Sequence, residues 1–213
     1  FDWNGNNWIQ RGQDIDGEAS RDYSGHSVSL SSDGNTVAVG AHYNDGNGDK
    51  SGHTRIFDWD GSIWDQRGQD IDGEAADDRS GYSVSISSDG NTVAIGAPRN
   101  DENGDRSGHV RIFVWYGSMW IQMGQDIDGE AAYDASGESV SLSSDGNTVA
   151  IGAQVNDGNG SNSGHVRIYD WNGIYWIQRG QDIDGETAGD LSGHSVSLSS
   201  DGNTVAIGAP WNN

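Results

Sequence analysis

Apolar and polar residues alternate along the chain with a period of two, as in Ser27-Val28-Ser29-Leu30-Ser31 and Thr36-Val37-Ala38-Val39-Gly40, and no stretch keeps a helical spacing. That period places successive side chains on opposite faces of an extended strand. Between the two runs stands Ser32-Asp33-Gly34-Asn35, and Asp-Gly in this setting predicts a tight primed hairpin turn, whose centre needs positive φ. Asn4-Gly5, Asp60-Gly61 and Asn172-Gly173, with Tyr116-Gly117 as the weakest copy, put a turn signal between two Trp-bearing runs. The first complete unit therefore predicts four antiparallel strands over 27–32, 36–41, 53–59 and 62–68.

The unit recurs. Phe1, Phe57, Phe113 and Tyr169 fall in register at a spacing of 56 with no insertion or deletion, dividing the chain into repeats 1–56, 57–112, 113–168 and an incomplete 169–213, a single array over 1–213. A period in this range indicates a solenoid, propeller or array, and four-stranded sheets repeated at this length predict an all-β fold of the β-propeller type. Ala38, Gly40 and Ala41 are small enough for a neighbouring sheet to approach closely, while Val37, Val39, Ile56, Phe57, Trp59 and Trp64 supply apolar volume to both faces. The pairs Trp3/Trp8, Trp59/Trp64, Trp115/Trp120 and Trp171/Trp176 flank one hairpin at one spacing, which suits a wedge between blades and leaves stacking on sugar rings open.

The run Ser-Gly-x-Ser-Val, then Asp-Gly-Asn-Thr-Val-Ala-Ile-Gly-Ala-Pro, then Gly-His-Val-Arg-Ile-Tyr, together with Gly-x-x-Trp-x-Gln, resembles the FG-GAP repeat of integrin-α-type propellers, in particular its bacterial and marine variety. The resemblance covers the whole chain. It implies extracellular β-propellers that serve adhesion and recognition, often with calcium. The metal loop of the integrin-type repeat lies between the two strands that here meet at Ser32-Asp33-Gly34-Asn35. That turn is too short to be the loop, so the family's calcium residues are not carried onto it.

Composition narrows the partners. Leu, Ile, Val and Phe make up under a fifth of the chain and the net charge is −22, a balance that by composition alone reads as disorder. Nine Trp, seven Tyr and the strict strand patterning argue for a folded array instead. The acidic excess repels phosphate backbones and anionic headgroups, which speaks against nucleic acid and membrane-surface partners and in favour of cations. No run approaches the ~18 apolar residues of a spanning helix, so membrane insertion is not expected. With no cysteine there are no disulfides or thiolate metal sites. The opening Phe1-Asp2-Trp3, with no initiator Met, reads as a mature or excerpted segment.

In an up-and-down meander both long connections leave the same end of each sheet, and 23 of the 33 carboxylates fall there. Such crowding calls for cations or backbone donors. One candidate set is Asp14, Asp16, Glu18 and Asp22, recurring as Asp70, Asp72, Glu74 and Asp78, as Asp126, Asp128, Glu130 and Asp134, and as Asp182, Asp184, Glu186 and Asp190. Alternate carboxylates around a Gly suit a hard, oxygen-seeking cation such as Ca²⁺, although twelve-residue EF-hand counting from Asp14 ends on Gly25. The alternative is that Asp16 and Asp22 cap turns through backbone NH groups. A second set is Asp45, Asn47 and Asp49, repeated as Asp101, Asn103 and Asp105 and degraded at Asp157-Gly158-Asn159-Gly160-Ser161. Its spacing matches the first half of a calcium loop, but Lys50 or Arg106 follows where Gly is expected, which favours a solvated loop. His53, His109 and His165 supply one imidazole per repeat, too few for a zinc site unless the ring brings several together.

Little points to catalysis. There is no Gly-x-Ser-x-Gly elbow, the position after Ser-Gly reads His26, Tyr82, Glu138 and His194, and no repeat carries a distinctive polar cluster. The expectation is a non-enzymatic, secreted or surface-displayed structural or adhesive protein with a cation-binding acidic face. Expected partners are other copies of itself, by ring completion or as a filament, or an extracellular protein or glycan. The rival is a carbohydrate-binding module using Trp or the variable loop residues Tyr43, Arg99, Val155 and Trp211. Asn159-Gly160-Ser161 is a glycosylation sequon in keeping with a secreted surface loop. A seven- or eight-bladed ring from a longer chain, or an array continuing into another copy, would supply the rest of the last blade.

Overall fold

The alternating runs pair as their pattern requires. A computed structural model describes residues 1–213 and consists of strands, turns and loops, with no helix long and apolar enough to cross a membrane. In the first complete sheet Ser27–Leu30, Thr36–Ala41, His53–Trp59 and Trp64–Gln66 pair antiparallel in chain order. The register sets Leu30 against Val37 and Val37 against Phe57. The second sheet repeats this with Ser83–Ile86, Thr92–Ala97, His109–Trp115 and Trp120–Gln122, and the third with Ser139–Leu142, Thr148–Ala153, His165–Trp171 and Trp176–Gln178. A two-stranded hairpin stands at either end, Asp2–Trp3 with Trp8–Ile9 and Ser195–Leu198 with Val205–Gly208. The four-stranded antiparallel blade is thus the repeating unit.

Two local features differ from the sequence pattern. Each sheet carries a fifth, two-residue strand within the acidic connection, at Ile71–Asp72, Ile127–Asp128 and Ile183–Asp184. It pairs with the start of the third strand, His53 opposite Asp72 and Thr54 opposite Ile71. Its single apolar residue accounts for the first two: Ile71 and Ile127 are buried in the core, whereas Ile183, in the last of the three, is exposed. The Asp33-Gly34 turn is also not the primed two-residue type, because only Gly34, at φ +70°, has positive φ. The loop is wider, closed by Ser31 N donating to Thr36 O at 2.8 Å. Asp33 holds it together by accepting from Ser31 Oγ (2.7 Å) and from Asn35 N and Nδ2 (both 2.9 Å). Those donors bring its carboxyl down to about 2, so this turn satisfies its own charge without an ion.

Consecutive sheets stack face to face. The innermost strands are stitched through serines: Ile86 N donates to Ser29 Oγ at 3.0 Å, Leu142 N to Ser85 Oγ at 2.9 Å and Leu198 N to Ser141 Oγ at 2.9 Å. Two residues beyond Leu30, Ile86 and Leu142, Ser32, Ser88 and Ser144 each donate a backbone NH to the carbonyl of the equivalent serine of the next sheet at 2.9–3.0 Å. Leu30, Ile86, Leu142 and Leu198 consequently line one shared cavity, the axis about which the sheets fan out. Apolar clusters fill each joint: Ala38 and Ile56 of one sheet with Val84, Ile86, Val93 and Ile95 of the next, then Ala94 and Ile112 with Val140, Leu142, Val149 and Ile151.

The small residues set the spacing. A Cβ on Gly40 would lie 2.1 Å from the carbonyl oxygen of Gly81, and one on Gly96 the same distance from that of Gly137. At the rim the Trp pairs form the expected wedge. Trp115 and Trp120 lie 5.4 Å apart, the Arg67 guanidinium sits 4.8 Å over the Trp115 ring, and Trp120 Nε1 donates to Arg67 O at 2.8 Å. Trp120 and Trp176 are buried by this packing, whereas Trp3 and Trp8 are exposed. We predict that Gly96→Ala, which drives a methyl into the facing backbone, lowers stability by roughly 1–3 kcal/mol. Urea denaturation checks this, and an unchanged midpoint contradicts the close approach.

Candidate functional site

The acidic end of the sheets has an outer zone of carboxylates and histidines and an inner zone of residues that differ between repeats. In the outer zone the connection entering each sheet supplies a Glu and the connection leaving it supplies an Asp, and both converge on the His that opens the third strand. Glu18 Oε2 and Asp70 Oδ2 lie 3.8 and 3.9 Å from His53 Nδ1. Glu130 Oε2 and Asp182 Oδ2 lie 3.9 and 3.8 Å from His165 Nδ1. Around His109 stand Glu74, Asp126 and, from the loop between the second and third strands, Glu102. In each group one ligand atom per residue lies within 4.8 Å of the others, so these acidic and histidine groups can hold a metal ion.

The third strand orients these groups. Two residues beyond each His, Arg55, Arg111 and Arg167 donate Nη2 to the carbonyls of Asp16, Asp72 and Asp128, each at 2.6 Å. Nη1 of Arg111 lies 3.3 Å from Glu74 Oε1, leaving Oε2 turned to His109. Burial dominates the electrostatics. It pushes His109 down to about 4 and lowers His53 and His165, so the imidazoles are neutral. It also raises the carboxyls of Asp72, Glu74 and Asp128, with Asp70 adding to the effect at Asp72 and Glu102 and Asp126 at Asp128.

The residues proposed from sequence separate by role. Asp14, Asp70, Asp126 and Asp182 accept from the Gln four residues before them. Asp16, Asp72 and Asp128 contribute the carbonyls just described, and Asp184 pairs with His165 in the short fifth strand. Asp22, Asp78, Asp134 and Asp190 cap the connection: Asp22 Oδ2 accepts from Ala19 N (3.1 Å) and Asn44 Nδ2 (3.0 Å), and the other three repeat the pattern. Glu18, Glu74 and Glu130 reach forward to the His of the next sheet; Glu186 lies near Asn212. In the second set Asp45 and Asp101 accept from Lys50 N and Arg106 N at 2.8 and 2.7 Å. Asn47 and Asn103 donate to Gly73 O and Gly129 O at 2.8 and 2.7 Å, while Asp49 and Asp105 are exposed, Asp105 accepting from Tyr133. Four residues of one constellation thus serve different sheets. The His–carboxylate groups carry no local spacing by which the sequence would mark them, since their members stand up to 52 residues apart.

In the inner zone charged and aromatic residues that change from repeat to repeat gather around a cleft of about 400 Å³ lined by Arg79, Tyr82, Arg99, Tyr133 and Glu138. Tyr82 donates its hydroxyl to Glu138 Oε1 at 3.0 Å, and burial followed by the Glu138 charge pushes the phenol up to about 12. Beside it the His26 and His42 rings lie 4.1 Å apart at a 51° tilt, with Tyr43 4.4 Å and Tyr82 5.3 Å from His42. His42 is buried with Nδ1 unpartnered, and burial, then His26 and Arg79, hold it down to about 4. An unfolded chain takes up this proton near pH 6.5, so between there and about pH 4 the unfolded state binds more protons and stability falls as pH falls. Gln154 occupies the same repeat position. We predict that His42→Gln removes on the order of 2 kcal/mol of this loss, measured by denaturant titrations at pH 7 and pH 4.5; an unaltered pH dependence contradicts a neutral, buried His42.

Among curated proteins no sequence matches the chain. Among solved structures it resembles a provisionally named 6-phosphogluconolactonase of Bacteroides uniformis, at 16% identity and a TM-score of 0.55, over 85% of this chain and 46% of that one. It also resembles the hydrazine synthase of Kuenenia stuttgartiensis, at 13% identity and a TM-score of 0.54, over 94% of this chain and 45% of that one. At these identities the likeness concerns the fold, and the chain spans a little under half the length of either structure. The family model for the FG-GAP repeat matches residues 15–57, 70–113 and 127–169, each stretch running from an acidic connection through the first three strands of a sheet. Those stretches cover more than half of the sequence, and the chain belongs to the FG-GAP repeat family.

Proposed function

We propose that this chain is a non-catalytic, extracellular or cell-surface recognition module, a β-propeller-type scaffold that presents one variable binding face. The observation that carries this reading is the contrast between the joints and the cleft. Stitching serines, close-packed glycines and Trp wedges repeat from sheet to sheet, whereas His26, Tyr82 and Glu138, and Tyr43, Arg99 and Val155, differ at equivalent positions around the cleft. Packing that repeats is what stability demands of an array, and charged or aromatic residues that vary around a concavity are what selective binding demands. The activities named for the two similar structures belong to those proteins.

Within this reading the ligand is an extracellular protein or a glycan. The glycan version is supported by aromatic faces beside Arg and Glu hydrogen-bonding groups in the cleft, and it uses Tyr82 and Tyr133 in place of the Trp pairs that the joints occupy. Other copies of the chain are a second class of partner. Val28 and Leu30 are open to solvent, whereas their counterparts Val84, Ile86, Val140 and Leu142 are covered by the preceding sheet. The first sheet therefore offers a face shaped for another sheet of its kind, from the continuation of the polypeptide or from a second copy. Calcium is the cation for which the exposed carboxylates of the connections are suited.

Two measurements test the reading. On panels of immobilised glycans and extracellular proteins, any ligand retained by the wild-type chain is expected to be lost, by tenfold or more in affinity, in Tyr82→Ala and Arg99→Ala, with thermal midpoints near wild type. Retention that both variants leave intact removes the cleft from the proposal. Thermal unfolding with and without a calcium-selective chelator is expected to show a lower midpoint after calcium removal, and coincident curves remove the calcium role.

A further inference from the structure

The connections carry carboxylates in excess of their local counter-charges, but acidity alone defines no site. The imidazoles add a separate observation. His53, His109 and His165 are each about 99% buried, and Nδ1 of all three has no hydrogen-bond partner although it faces the carboxylates of two connections. A buried ring nitrogen left unpaired costs free energy in every repeat. Near the His109 group Asp128 Oδ1 is buried and unpartnered as well. We propose that each of these His–carboxylate groups is a binding site for a divalent transition-metal cation of the zinc class, with the His109 site the most complete.

The donor chemistry selects the cation. Neutral imidazole with carboxylate oxygen suits Zn²⁺ and its neighbours in the first transition row, whereas Ca²⁺ takes six to eight oxygens and gains nothing from a buried ring nitrogen. The geometry is near what is needed. A tetrahedron with bonds of about 2.0–2.1 Å sets its ligands about 3.3 Å apart, and Glu74 Oε2 already lies 3.8 Å from His109 Nδ1. The carboxylates that must close the remaining gap are the exposed or half-exposed members, while the His is fixed in the third strand. Arg111 engages the other oxygen of Glu74 and so orients it as an outer-shell partner does. Its positive charge opposes a cation, and Glu74, Glu102 and Asp126 outweigh it.

The repeats also grade the sites. Position 102 is Glu only in the middle repeat, and Gly46 and Gly158 stand at its equivalents. The His109 site therefore has four protein ligands, while the His53 and His165 sites have three and an open position. The two inner connections each serve two sites at once: Asp70 faces His53 while Glu74 faces His109, and Asp126 faces His109 while Glu130 faces His165. Metal at these positions would clamp the chain entering a sheet to the chain leaving it. The inference deepens the cation reading above and rests on its claim that this acidic face binds cations.

The test is calorimetric titration of the chelator-stripped chain with Zn²⁺ and separately with Ca²⁺, with the Co²⁺ absorption spectrum reporting nitrogen-containing, four-coordinate geometry. Expected are three Zn²⁺ equivalents, one tighter than the other two. Glu102→Gly should weaken the tight site by at least tenfold, to the level of the others, and Glu74→Gln should weaken it similarly; both positions are exposed, which keeps folding out of the result. His109→Gln should remove one equivalent and the matching share of the Co²⁺ band. Absence of Zn²⁺ uptake, or uptake indifferent to Glu74→Gln and Glu102→Gly, overturns the inference. Ca²⁺ binding without Zn²⁺ binding also overturns it while sustaining the calcium reading, and failure with both ions removes the two together.

Discussion

The structure depends on how closely one sheet lies against the next. No sheet here has a core of its own: Ile56 and Ala38 are covered by Val84 and Ile95 of the following sheet, and Ile112 by Val140 and Ile151. A chain this poor in aliphatic residues folds because the stacked sheets bury apolar side chains in the joints between them rather than in isolated layers, while the outer face of the first sheet, with Val28 and Leu30, stays open. The approach is fixed by backbone against backbone at Gly40–Gly81 and Gly96–Gly137, and the serines of the inner strands convert that proximity into hydrogen bonds. The contact recurs at the same 56-residue interval, and a joint that tolerates no added methyl also tolerates little variation in its neighbours.

Distance from that contact governs where chemistry is placed. The axis and the inner joints are occupied by small, apolar and hydroxyl groups, with arginines such as Arg67 and Arg111 laid over aromatic rings. Carboxylates and imidazoles gather toward the ends of the strands, where the connections are long enough to bend. There the first use of carboxylate is structural, with Asp22, Asp45, Asp78 and Asp101 accepting backbone NH groups of their own loops, and Asp22 and Asp78 also accepting the Asn44 and Asn100 amides of the neighbouring loop. The carboxylates that remain are those turned toward the buried imidazoles and those at the surface.

Much of the architecture was legible from the chain. Period-two alternation located the four strands, the 56-residue register located the blades, and the uniform Trp spacing indicated the wedge that Trp115, Trp120 and Arg67 form. Two things were not. The short strand at Ile71–Asp72 was masked by the charge around it, because one isoleucine in an acidic segment carries no periodicity; it forms because Ile71 finds a core position opposite Thr54. The grouping of Glu18, His53 and Asp70 was hidden for a different reason. Ligand motifs are read from residues that lie near one another in sequence, and here each member comes from a different segment brought together by antiparallel return of the chain. The turn at Asp33 shows the converse limit: Asp-Gly announced a hairpin correctly, but the side chains of Ser31 and Asn35 chose its width.

The connection between sheets bears one consequence for how such a molecule grows. Because Asp126 looks back to one histidine and Glu130 forward to the next, a cluster is assembled from parts of two adjoining copies. Duplication of a whole 56-residue segment inside the array, wherever the breakpoints fall, adds one complete cluster and damages none. Lengthening by unequal exchange would therefore raise charge-handling capacity in proportion to size, with no new residue needing to be selected.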